Sequence, residues 1–128
     1  MTLQEFIRQE RITLTFEIAP KNPNMEDSAQ MNHWKVVLWS KWTWMTTYFS
    51  KGLLFNGEAP NVDEVLDCLA SDAQGIDQPF EDWASDFGYD PDSRKAEKVY
   101  KNIQRESEKL KNLLGEKAYK TLLEVERL

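Results

Sequence analysis

The chain has 128 residues, 41% of them hydrophobic and 12% aromatic, with 30% charged and a net charge of −6. That composition is long and apolar enough for one domain with a buried core, and too apolar for intrinsic disorder. No apolar run approaches the ~20 residues a membrane-spanning helix needs, and the single cysteine, Cys68, excludes an internal disulfide.

Met1 to Phe6 lacks the basic-then-apolar pattern of a signal peptide, so a cytoplasmic protein is expected. Residues 11–19 alternate as a strand does, with Ile12, Leu14, Phe16 and Ile18 on one face and Thr13, Thr15 and Glu17 on the other. Pro20 ends that strand, and the turn-forming composition of residues 20–32 predicts a long loop. Trp34 to Ser50 is rich in aromatic and β-branched residues, which predicts a β-hairpin with its tip near Ser40-Lys41. An even-length turn would gather Trp34, Val36, Leu38, Met45, Thr47 and Phe49 on one face. The other face would then hold Val37, Trp39, Trp44, Thr46 and Tyr48.

Beyond Gly52 the punctuation is helical. Asn61 followed by Glu64 has the form of a capping box, Val62, Val65, Leu66 and Leu69 make a core stripe, and Gly75 is the expected left-handed stop. Pro79 opens a short helix through Phe80 and Trp83 to Gly88. Asp90-Pro91 then predicts the start of the longest helix, whose Ala96, Val99, Tyr100, Ile103, Leu110 and Leu114 recur at helical spacing until Gly115. A last helix, Glu116 to about Arg127, would bury Tyr119, Leu122 and Leu123. The expected fold is α+β, with about three antiparallel strands packed against about four C-terminal helices. It forms a single domain over 1–128, mainly β over 1–57 and mainly α over 58–128.

Charge is distributed unevenly. Residues 58–92 hold eleven Asp or Glu and no Lys, Arg or His, whereas 1–57 carry +1 and 93–128 carry +4. Asp63, Glu64, Glu81, Asp82 and Asp92 fall in predicted first helical turns, where a carboxylate favours the helix dipole. Glu58, Asp67, Asp72, Asp77 and Asp86 do not. Two expectations compete for this block. The following helix, with Arg94, Lys95, Lys98, Lys101, Arg105, Lys109 and Lys111, could neutralise it internally. Alternatively, Asp63, Asp67, Asp72, Glu81, Asp82, Asp86, Asp90 and Asp92 form an acidic surface that docks on a basic protein groove in the place of phosphates.

Trp39, Trp42, Trp44 and Tyr48 make a second candidate protein-binding surface, because clustered Trp and Tyr are typical interface anchors. Direct nucleic-acid binding is not expected, since only Lys35, Lys41 and Lys51 lie near these rings; nor is membrane binding. No catalytic residue, metal or cofactor is expected. His33 is the only histidine, and Cys68 lies among acids that raise a thiol pKa. A calcium-loop template begun at Asp86 meets Gly88 and Pro91 where a ligand and a turn glycine are required. Neighbouring acids such as Glu81 and Asp82 point apart on a helix.

Tyr48-Phe49-Ser50-Lys51-Gly52, Asp63-Glu64-Val65-Leu66, Ser71-Asp72-Ala73, Phe80-Glu81-Asp82-Trp83 and, above all, Gly88-Tyr89-Asp90-Pro91-Asp92-Ser93-Arg94-Lys95-Ala96-Glu97 carry a likeness. Over roughly residues 33–120 the chain resembles a family of short proteins encoded by phages and prophages. Its tryptophan-bearing hairpin tip departs from the basic, glycine-containing tips of that family. The resemblance implies a non-enzymatic protein that binds and inhibits host machinery such as a CRISPR effector or restriction enzyme, sometimes as a DNA mimic. The alternative it implies is an accessory protein in DNA metabolism or assembly, with the aromatic hairpin as its contact surface.

Overall fold

A computed structural model of the chain describes residues 1–18, 33–50 and 59–126. The loop expected over 20–32 and the carboxylate of Glu58 lie outside these. The described elements are α1 (Leu3–Gln9), β1 (Ile12–Ile18), β2 (His33–Ser40), β3 (Thr43–Ser50), α2 (Val62–Gly75), α3 (Phe80–Asp86), α4 (Arg94–Leu114) and α5 (Glu116–Glu124). This is the expected α+β architecture, with a three-stranded antiparallel sheet in the order β1-β2-β3 and four helices after it.

The N-terminal part is not purely β, because α1 precedes the first strand. Its signal is a capping pattern at Thr2 and Glu5. The Thr2 hydroxyl accepts the Glu5 amide at 3.1 Å, and Leu3 and Phe6 face the core. At the other end of α1, the Ser40 hydroxyl donates to the Glu10 carbonyl at 2.9 Å. The Glu10 carboxylate, itself buried, pairs with Lys41 at 3.5 Å. α1 is thereby fastened to the hairpin turn.

That turn is two residues long, Lys41-Trp42, with Ser40 opposite Thr43, Trp39 opposite Trp44 and Leu38 opposite Met45. The loop is therefore even, and the two faces separate as the alternation requires. Val36, Leu38, Met45, Thr47 and Phe49 are buried under the helices, together with Ile12 from β1. Lys41 occupies the left-handed region at φ 56°, a conformation that costs a non-glycine residue roughly 1 kcal/mol or more.

α2 starts where expected, with the Asn61 side chain accepting the Glu64 amide at 2.9 Å, and it buries Val65, Leu66, Leu69, Ala70 and Ala73. Gly75 ends this helix without a positive φ, so the left-handed stop is corrected. A Cβ on Gly75 would lie 2.8 Å from Cζ of the exposed Phe87 ring, so a larger residue there would require that ring to swing aside. Among the described glycines, Gly88 (φ 75°) and Gly115 (φ 85°) use left-handed freedom, after α3 and between α4 and α5.

The start of α4 is also corrected. Asp90 does not cap it; its carboxylate accepts the Asp92 amide at 3.0 Å in a local turn, and its carbonyl accepts from Ser93. Ser93 is the cap, its hydroxyl accepting the amides of Lys95 and Ala96. A hydroxyl one turn further on satisfies two orphan amides that Asp90 cannot reach. Asp92 consequently lies before the helix and not in its first turn, where the acid is Glu97. α5 stops at Glu124, short of Arg127, and buries Leu122 fully.

Two cores result. The main one joins the inner sheet face to α1, α2, the C-terminal half of α4 and α5. The smaller one is built on Trp83, Ala84 and Ala96, with Ile76, Phe80, Tyr89, Val99, Tyr100 and Ile103 around them. α3 is thus attached to the N-terminal half of α4 by its own aromatic cluster, at a distance from the sheet.

Candidate functional site

The acidic block divides between two places. Asp63, Glu64 and Asp67, on the first turns of α2, line a cavity of about 230 Å³ with Thr2, Leu3, Gln4 and Glu126. Glu81, Asp82 and Asp86 project from α3, and Asp90 and Asp92 from the turn that follows; all five are exposed. Asp82 and Asp86 stand one turn apart on the same face of α3. Twelve residues of α2, about 18 Å of helix, separate Asp63 from the end that meets α3. The eight acids therefore do not form one continuous array. The α3 group is compact, Asp72 and Asp77 are exposed near the far end of α2, and Asp63 and Asp67 belong to the other end.

Internal neutralisation by α4 is not what the described contacts contain. Lys101 pairs with Glu97 at 2.8 Å and Lys109 with Glu106 at 3.0 Å, each within α4 itself. The hydrogen bond from Lys101 lowers the Glu97 carboxyl pKa below its ordinary value, with the lysine's charge adding to the effect. The other described ion pairs are Lys35–Glu17, Lys41–Glu10 and Lys120–Glu116. Among the described residues, none joins an α4 cation to Glu81, Asp82, Asp86, Asp90 or Asp92. Helical geometry favours the pairs that do form, since (i, i+3) and (i, i+4) partners on α4 are within reach of Lys101 and Lys109; Arg94, Lys95 and Lys98, in the half of α4 that meets α3, have no described ion pair.

Trp83 is what positions those acids. Its ring stacks on Tyr89 (5.1 Å between centroids, 10° between planes), meets Tyr100 edge-on at 5.2 Å, and contacts Phe80 and Phe87. The Tyr100 hydroxyl donates to the Gln78 carbonyl at 2.8 Å, tying the segment between α2 and α3 to α4.

The second candidate surface lies at the opposite end. Trp42 is 89% exposed at the turn, and Trp44, Tyr48 and Trp39 are 62%, 53% and 38% exposed on the outer sheet face. Trp39 and Trp44 sit directly opposite one another with centroids 5.6 Å apart. The Thr43 hydroxyl donates to the Leu113 carbonyl at 2.9 Å, placing the tip at the C-terminal end of α4. From Tyr100 to Leu113 the helix rises about 20 Å, so the aromatic tip and the α3 acids occupy separate ends of the molecule.

Cys68 is half-buried on α2 and its thiol is pushed up to about 11, by burial first and by Asp72 and Asp67 second. Such a thiol is a poor nucleophile at neutral pH. Desolvation also raises the Asp72 carboxyl above its ordinary value, although the residue retains solvent exposure. Among the described residues no cluster of three His, Cys, Asp or Glu side chains is placed to hold a metal ion, and no helix is long and apolar enough to cross a membrane. Comparison of the chain with protein-family models, with curated proteins and with solved structures returns no match.

Proposed function

We propose that this chain is a non-enzymatic, phage-type protein that binds and inhibits a host protein, with the carboxylates of α3 and the following turn taking the place of nucleic-acid phosphates in a basic groove. The observation that carries this reading is the exposure of Glu81, Asp82 and Asp86 on a helix pinned by Trp83, and of Asp90 and Asp92 on the turn after it, with no described ion pair to any of the five, while Lys101 and Lys109 pair along α4 itself. Five exposed carboxylates on about twelve residues produce a local negative field that a basic nucleic-acid-binding surface would meet favourably and that phosphate would not. A nucleic-acid-binding defence effector is the partner class with that chemistry.

The test is affinity capture from host lysate, followed by binding measurements on whatever is retained. Combined Asp82→Lys, Asp86→Lys and Asp90→Lys replacements should weaken capture at least about a hundredfold, and duplex DNA should compete with the wild-type chain. Binding that is unmoved by salt and by the triple reversal would rule the acidic surface out. Plaque counts on hosts with and without the defence system then separate an inhibitor from an accessory protein in DNA metabolism or assembly, which would not depend on the system.

A further inference from the structure

The outer face of the sheet forms a three-by-three grid. Across β1, β2 and β3 its rows read Thr13–Trp39–Trp44, then Thr15–Val37–Thr46, then Glu17–Lys35–Tyr48. We infer that this face is the contact surface for a second copy of the same chain, joined about a two-fold axis that passes by Val37 and runs along the middle row.

Three observations select this occupant. The first is self-complementarity. Rotation about that axis lays the tryptophan row of one copy on the Lys35–Tyr48 row of the other, so that Trp44 meets Tyr48 of the second copy, Trp39 meets the Lys35 ammonium, and Thr13 meets the Glu17 carboxylate. Those are an aromatic pair, a cation–π pair and a hydroxyl–carboxylate pair, each made twice by the symmetry.

The second is charge. The grid's only ions, Glu17 and Lys35, already pair at 3.7 Å, so the face is locally neutral on a chain of net charge −6. The α3 acids lie on the helical side of the sheet and would point away from each other in the pair. Like-charge repulsion therefore opposes this face-to-face contact less than any contact through the helices.

The third is area. Trp39, Trp44 and Tyr48 together leave roughly 370 Å² open per copy, from fractional exposures of rings that each present up to about 250 Å². Two copies bring roughly 750 Å² from these three rings, and Thr13, Thr15, Thr46, Val37, the Glu17–Lys35 pair and Trp42 at the rim extend the contact toward the roughly 1,200 Å² of a specific interface. Two such sheets pack with their strands nearly aligned, as in a β-sandwich.

The experiment is sedimentation equilibrium of the full chain across about micromolar to hundreds of micromolar protein, at low and high salt. A mass that climbs from 15.0 kDa toward twice that value, and does so undiminished at high salt, is the expected result. Trp44→Glu should leave a monomer of unchanged far-UV circular dichroism, because Trp44 is exposed. Trp44→Glu combined with Tyr48→Lys should restore the dimer through the ion pair formed across the axis. Asp82→Lys should leave the mass distribution untouched. A wild-type chain that stays monomeric at the highest concentration overturns the inference. So does a dimer that dissolves in salt, one that survives Trp44→Glu, or one that the double variant fails to regain.

Discussion

Trp83→Ala is the substitution that most directly tests how the acids are held. The ring is 2% exposed, and burying a tryptophan removes up to about 250 Å² from water, worth about 6 kcal/mol at ~25 cal/mol per Å². The alanine keeps a small part of that, and a compact unfolded chain trims the remainder, which leaves about 3–5 kcal/mol. Because the Trp83 cluster is distinct from the sheet core, this loss should fall locally. α3 should detach from α4 while the sheet, α1 and α5 persist. Hydrogen-exchange mass spectrometry reads this directly through the amides of Trp83, Phe87 and Tyr89, which donate to Pro79, Trp83 and Ala84. At a tenfold change per 1.4 kcal/mol, a local cost near 4 kcal/mol lowers their protection about a thousandfold, with little change in β2 and β3. Equal loss of protection in strands and helices would refute the two-core description, as would no loss in α3.

Cys68 should be nearly inert to thiol reagents: with its pKa at about 11 instead of 9.0, its thiolate fraction at pH 8 is about a hundredfold lower, and urea should restore ordinary reactivity. The folded state holds this proton more tightly than the unfolded chain, so the contribution is intact below pH 9.0 and is lost as pH rises to about 11. Replacement with Ala should flatten that part of an alkaline stability profile measured by urea titration. Ser93→Ala should cost about 1 kcal/mol in chemical denaturation by leaving the Lys95 and Ala96 amides uncapped, while Asp90→Ala should cost less, because Asp90 serves a turn and not the helix. At the hairpin, Lys41→Met should destabilise more than Glu10→Gln. The first strands a buried carboxylate and the second leaves only an exposed ammonium; equal thermal shifts would contradict the burial of Glu10.

Strand alternation carried the sheet well. With period two, the identity of each face follows once the turn is known to be even, so Trp39, Trp44 and Tyr48 were predictable as outward residues of that register. Whether anything covers them depends on where α1 goes, and α1 was not anticipated. It has seven residues and two buried apolar side chains, too short for periodicity to register, and only the Thr2–Glu5 cap marks it. The start of α4 was misplaced because Asp90-Pro91 and Ser93 are both valid caps locally; the Asx turn at Asp90 decides between them. Gly75 does end its helix, but without the left-handed conformation expected of it, because the chain continues through an αR residue at Ile76. The division of the acids was also hidden. It depends on α3 being held by an aromatic cluster of its own, and charge counting along a chain cannot resolve which end of α2 an aspartate occupies.

The pairing of the chain's two ends has a consequence for the order of assembly. The Leu3 amide donates to the Glu126 carbonyl at 3.2 Å and the Glu126 amide donates to the Met1 carbonyl at 3.0 Å. A chain leaving the ribosome can close its hairpin and fasten the C-terminal end of α1 to it early, yet the N-terminal end of α1 is not secured until Glu126 has been made. Closure is therefore topologically late. It spans nearly the full sequence, the contact with the greatest loop entropy to overcome. A covalent linker joining the two ends would remove that entropy from the unfolded state without touching either the acidic end or the tryptophan face.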